Sequence, residues 1–149
     1  MAPVDDGTRR YSQPPVLDEA RLVAFLATQP DVIAAYLFGS LAQGRARPQS
    51  DIDVAILLVP MDSEAAFDRR LRLMEYLRPF ADREVEVVIL NIAPPLLQQQ
   101  ALRHGRLLYE RNKSARADFE VQAGKVYADL KPMHDFFAQV LFKEIKEGG

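Results

Sequence analysis

Residues 37–57 read LFGSLAQGRARPQSDIDVAIL, and this stretch sets both the fold and the chemistry expected of the chain. The apolar run 32–38 lies between Pro30-Asp31 and Gly39, the pattern of a buried strand bounded by turns. At its end Gly39 offers backbone without a Cβ and Ser40 a hydroxyl, which suits close approach by phosphate oxygens. A helical turn over residues 41–44 would aim its first N–H groups at the same anion. Residues 51–58, aliphatic and β-branched, predict a second strand. Side chains alternate along a strand, so Asp51 and Asp53 share one face while Ile52 and Val54 enter the core from the other. Two carboxylates so placed repel each other. One or two divalent cations relieve that repulsion, and Mg²⁺ prefers hard oxygen donors of this kind, with a triphosphate supplying the rest. A third carboxylate is expected from a later strand, and Glu86 in REVEVVIL is the candidate, giving Asp51, Asp53 and Glu86 as catalytic and metal-binding residues.

Outward from this stretch, Asp18 offers an N-cap to a helix carrying Leu22, Phe25 and Leu26. Residues 61–80 place Phe67, Leu71, Met74 and Leu77 at helical steps, an amphipathic helix packed on the sheet. Residues 84–90 predict a third strand. Pro94-Pro95 can start a helix running to about residue 103 and ended by Gly105, with a short strand at 106–110. Ser114 is the expected cap of a long last helix that Pro132 should kink or split. The expectation is an α+β fold, sandwich-like, with a small mixed sheet and packed helices. Its divisions are a loose lead-in at 1–15, a catalytic domain at 16–112 and a C-terminal helical extension at 113–149, packed on the domain or on a partner.

The bulk composition narrows the function classes. A chain of 149 residues with 48% apolar and 27% charged residues is an ordinary globular domain. Zero Cys excludes disulfides, thiolate zinc sites and a cysteine nucleophile, and fits a cytoplasmic setting. A net charge of −2 argues against a protein whose main task is gripping nucleic acid. The N-terminus has no apolar signal-peptide core, and no apolar run reaches the roughly 20 residues of a membrane span. His104 and His134 read as helix residues without chemistry. The basic residues between 103 and 116 read as a solvated face.

Gly39-Ser40, ten intervening residues, then Asp51-Ile52-Asp53 resemble the signature of the DNA polymerase beta nucleotidyltransferase superfamily. Length and the later stretches VEVVILNIAPPLL and HGRLLYE resemble its minimal nucleotidyltransferase (MNT) group, over roughly residues 32–110. The resemblance implies a polymerase-beta-like fold in which Gly39 and Ser40 bind the triphosphate of ATP. Asp51 and Asp53 would ligate two Mg²⁺, with Glu86 as third carboxylate. Many relatives carry Arg where this chain has Gln43, which leaves Arg45 and Arg47 as phosphate-binding candidates. Glu86 stands where Asp is more usual. Members of the group are often paired, as antitoxin, with a HEPN-domain ribonuclease toxin, and they transfer AMP from ATP to a tyrosine of that toxin. Two alternatives stand beside this one: a nucleotide-binding antitoxin acting by occlusion, and a small-molecule nucleotidyltransferase. The apolar positions of the last helix can complete the core or form a homo- or hetero-oligomeric interface.

Overall fold

The computed structural model describes residues 11–148. Helix α1 (Glu19–Ala27) starts where the Asp18 carboxylate accepts from the Arg21 N–H, and strand β1 (Val32–Phe38) follows it directly. Strand β2 (Ile52–Leu58) leads into helix α2 (Ser63–Leu77), capped by Asp62, whose carboxylate accepts from the Ala65 N–H at 2.8 Å. A cap of this kind contributes about 1 kcal/mol. A 3₁₀ turn at Arg78–Phe80 closes α2 at Pro79, so the helix ends three residues short of the span expected from its apolar spacing. Strand β3 (Val85–Ile89), helix α3 (Pro95–His104), strand β4 (Arg106–Glu110) and helix α4 (Lys113–Gly148) complete the order.

The four strands form one mixed sheet ordered β3-β2-β1-β4. β1 is antiparallel to β2 and to β4, whereas β2 and β3 are parallel and joined by the α2 crossover. Helices cover both faces. One core joins Leu22 and Leu26 of α1 and Ala66, Leu73 and Leu77 of α2 to Ile52, Val54, Val85 and Val87. The other joins Ala101 of α3 to Ala34, Tyr36, Phe38, Ala55 and Leu57, with Phe119 of α4 against it. The expected α+β architecture with a C-terminal helix is what forms. β1 and β2 are apolar on both faces because each face has a helical layer, and the one charged residue in these two runs is Asp53.

Several local expectations need correction. Asn112, not Ser114, caps α4: its side-chain oxygen accepts from the Ala115 N–H at 3.0 Å. Asn ranks with Ser as a cap, so composition alone could not choose between them. Pro132 does not split α4, which is continuous through it. The lead-in is not loose over its last five residues: Pro15 is buried, and the carbonyls of Tyr11 and Gln13 both accept side-chain hydrogen bonds. The rest of the lead-in lies outside the described residues.

The basic residues of 103–116 are not simply a solvated face either. Arg106 is paired with Glu19, and Arg116 with Glu110 and Glu120. Arg111 donates to the carbonyls of Val32 and Ala27. These guanidiniums staple the sheet edge to its helices, with little charge left over for an outside polyanion.

Candidate active site

β1 and β2 run antiparallel with Phe38 opposite Asp53, so the Gly39-Ser40 corner lies beside the start of β2. β3 runs parallel to β2 with Glu86 beside Asp53. Three strand ends therefore bring Gly39, Asp51, Asp53 and Glu86 together at one end of the sheet. Asp53 and Glu86 share the register of Ala55 and Val88, while Ile52, Val54, Val85 and Val87 fill the opposite core. This is the facing expected from the two-residue period.

Gly39 has φ +79°, the left-handed region that favours glycine. A Cβ built there would stand 2.6 Å from Asp53 Oδ2, so a side chain at this corner would displace the carboxylate. The glycine is required twice over, by its backbone and by its neighbour. Beyond it the chain makes an irregular turn in which the Gly39 carbonyl accepts from the Gln43 N–H at 3.3 Å and the Ser40 carbonyl from the Arg45 N–H at 2.9 Å. Gly44, at φ +69°, ends that turn. The expected turn after Ser40 is present, though not as regular helix. A second close approach supports the corner from β4's side: a Cβ at Gly105 would meet the Leu37 carbonyl at 2.9 Å.

The electrostatics of the three carboxylates are unbalanced. Asp53 is half-buried, and burial, with the charges of Asp51 and Glu86 adding to it, pushes its pKa up to about 6. Asp51 and Glu86 are exposed. Among the described residues the compensating charge paired with this cluster is on Arg70 of α2, whose Nη2 lies 3.6 Å from Glu86 Oε2 while its Nε donates to the Val87 carbonyl at 2.7 Å. Among the described residues no group of three or more acidic, His or Cys side chains closes on one ion position. The donor set nevertheless fits Mg²⁺: it is all carboxylate oxygen, mutually repulsive, and one member is held against a glycine.

Arg45 and Arg47 lie on the exposed loop between β1 and β2. The Arg45 guanidinium donates to Gln43 Oε1, and the Arg47 N–H donates to Ser50 Oγ at 2.8 Å. The hydrogen bonds do not tie either guanidinium to the acidic cluster. His104 closes α3 and His134 lies within α4, as their sequence context implied. In sequence a lone Arg83 beside Asp82 looks like an ordinary surface pair; in the fold it is buried and grips the loop before Asp51.

The polymerase beta nucleotidyltransferase family model matches residues 20–114. The protein adenylyltransferase MntA of Shewanella oneidensis is 33% identical over 94 residues, which span 62% of this chain and 66% of that protein. A chain of a toxin–antitoxin crystal structure with AMP-PNP superposes with a TM-score of 0.67 at 27% identity, covering 85% of this chain and 99% of its own. A chain from the complex of tri-AMPylated S. oneidensis HEPN toxin with MNT antitoxin gives 0.61 at 25% identity, over 84% and 96%. The family match contains both the glycine-serine corner and the paired aspartates whose geometry is set out above, and the chain belongs to the polymerase beta nucleotidyltransferase family.

Proposed function

We propose that this chain is an antitoxin that transfers AMP from ATP to a tyrosine of a HEPN ribonuclease toxin and so neutralises it. The observation that carries the reading is the half-buried Asp53, held against Gly39 with Asp51 and Glu86 adding to its burden of negative charge. Support for the acceptor comes from the relatives, one named as a protein adenylyltransferase and another seen with a tri-AMPylated toxin. The AMP-PNP complex of a similar chain supports a triphosphate as donor.

In this reading Asp51 and Asp53 would hold Mg²⁺, with Glu86 as third carboxylate. When bound, the cation neutralises the phosphates and lowers the pKa of the attacking phenol. Gly39, bare of a side chain, admits the phosphates to the corner, and Ser40 offers a hydroxyl to them. The acceptor tyrosine oxygen forms a bond to the α-phosphorus, the bond from that phosphorus to the bridging oxygen of pyrophosphate breaks, and the phenolic proton passes to the carboxylate cluster or to water. Arg45 and Arg47, on the exposed loop beside the corner, are secondary candidates for phosphate contact.

The test is direct. Incubation of the chain with its cognate toxin, ATP and Mg²⁺ should add the mass of AMP to a toxin tyrosine, and Asp51→Ala or Asp53→Ala should abolish the addition. Unmodified toxin that is still silenced by both variants would instead support occlusion. One observation favours that second reading: α4 continues beyond Ala123, the last of its described residues to be buried, with Met133, Phe137, Val140 and Leu141 exposed. Among the described residues no helix is long and apolar enough to cross a membrane, so these side chains suit a protein surface better than a bilayer span.

A further inference from the structure

Arg83 is the most deeply buried charged side chain of the acidic end, with 4% of it exposed. It enters β3 three residues before Glu86, yet its hydrogen bonds go elsewhere. Nη1 donates to the Pro48 carbonyl at 2.6 Å and to the Ser50 carbonyl at 3.1 Å, both within the three residues before Asp51. Nη2 donates to the Gln13 carbonyl at 2.9 Å, and the guanidinium carbon lies 3.6 Å from the centroid of the Tyr11 ring, a stacked cation–π contact. Nε is paired with the Asp82 carboxylate at 3.1 Å, and Asp82 in turn accepts from the Val16 N–H. Residues 11–13 close over the same loop from outside: the Tyr11 N–H donates to Gln49 Oε1 and Gln49 Nε2 donates to the Tyr11 carbonyl at 2.7 Å.

These contacts share one consequence. Asp51 is exposed and precedes β2, so the sheet ladder does not fix it. Its backbone is fixed by the carbonyl just before it, held by Arg83. The planar fork of the guanidinium bonds Pro48, Ser50, Gln13 and both Asp82 oxygens at once, more acceptors than the three N–H donors of an ammonium can serve. We infer that Arg83, stacked on Tyr11, whose backbone Gln49 in turn holds, is a positioning residue that sets the Asp51 carboxylate for the divalent cation. The inference rests on the metal-site reading of Asp51, Asp53 and Glu86.

The experiment combines Mn²⁺ titration of the full chain, read by the electron paramagnetic resonance of the free ion, with amide hydrogen exchange. Arg83→Lys keeps the charge and loses the fork; it should weaken Mn²⁺ binding about tenfold, the usual scale for groups that orient metal ligands. Exchange at residues 47–51 should rise while the β1 and β2 core stays protected. Gln49→Ala, at an exposed position where folding is safe, should shift both readouts the same way by less. Faster exchange with unchanged Mn²⁺ affinity overturns the inference, because Arg83 is then only a structural staple. Unchanged exchange in both variants also overturns it. A wild-type chain that binds no Mn²⁺ fails differently: it removes the metal-site reading itself, and the positioning role with it.

Discussion

The two ends of the sheet handle charge in opposite ways. At the end where β1 starts and β2 stops, carboxylates meet guanidiniums: Arg69 Nε lies 2.7 Å from Asp31 Oδ2, and Arg116 pairs with Glu110 and Glu120. Tyr36 joins that network by donating to Glu120 Oε1 at 2.6 Å, and burial raises its pKa far above the ordinary phenol range. At the other end three carboxylates gather around Gly39, and the closest guanidinium stands 3.6 Å from just one of them. Pairs at hydrogen-bond distance hold a fold together. A cluster left repelling holds binding energy for something that arrives later, and a cation with a triphosphate fits that role.

The contrast breaks most visibly by removing one carboxylate charge at each end. Asp53→Asn should reduce AMP transfer by about 100- to 1000-fold, the scale of losing one main electrostatic contributor to a transferring group. Quantifying modified toxin by mass spectrometry checks it, and transfer within tenfold of wild type would sink the assignment. The matching change at the other end, Asp31→Ala, should leave transfer intact and cost about 2 kcal/mol, since it strips a partly buried Arg69 of its charged acceptor. For a domain of this size that is roughly 4–8 °C in Tm, read by thermal unfolding.

Much of this contrast is legible in the sequence, and the reasons are local. The spacing from Gly39-Ser40 to Asp51-Ile52-Asp53 shows in the letters because the strand period fixes facing and the glycine fixes the corner. Strand 106–110 and the two-sided burial of 32–38 are equally local. What stays hidden is whatever depends on contacts across the chain. Arg83 meets Gln13 and Pro48, 70 and 35 positions away, and nothing near Arg83 announces either. The internal pairing of Arg106 with Glu19, 87 positions distant, is invisible for the same reason, and so the basic stretch read as solvated. Asn112 and Ser114 illustrate a third kind of limit, two competent caps two residues apart with only packing to decide between them.

Glu86 sharpens the comparison because it belongs to the unbalanced end yet is more than half exposed and has Arg70 nearby. Glu86→Gln should therefore cost less than the change at Asp53, about tenfold in transfer. Its effect on stability should stay within about 0.5 kcal/mol, as for other exposed positions. A loss as large as that of Asp53→Asn would show that the third carboxylate carries an equal share, and the burial argument for ranking them would fail.

The smallest effect is one of pH, and its sign follows from Asp53. An unfolded aspartate titrates near 3.8, whereas the folded carboxyl is pushed up to about 6, so between these values the native state holds more protons than the unfolded one. The stabilisation from protonated Asp53 is full below 3.8 and is lost as the pH rises through about 6. Because the side chain is half-exposed, solvent screening trims the penalty above that range to about 1 kcal/mol. Asp82 and Glu19 are shifted downward by Arg83 and Arg106 and act with the opposite sign, so the raw pH profile mixes both. The difference between Asp53→Asn and wild type isolates the one group. In metal-free buffer the variant should match wild type near pH 4, gain in relative Tm as the pH rises, and level off above about 6. Added Mg²⁺ should then raise the wild-type Tm at pH 7.5 more than the variant's, since the variant keeps only Asp51 and Glu86 and lacks the half-buried charge that a cation relieves most.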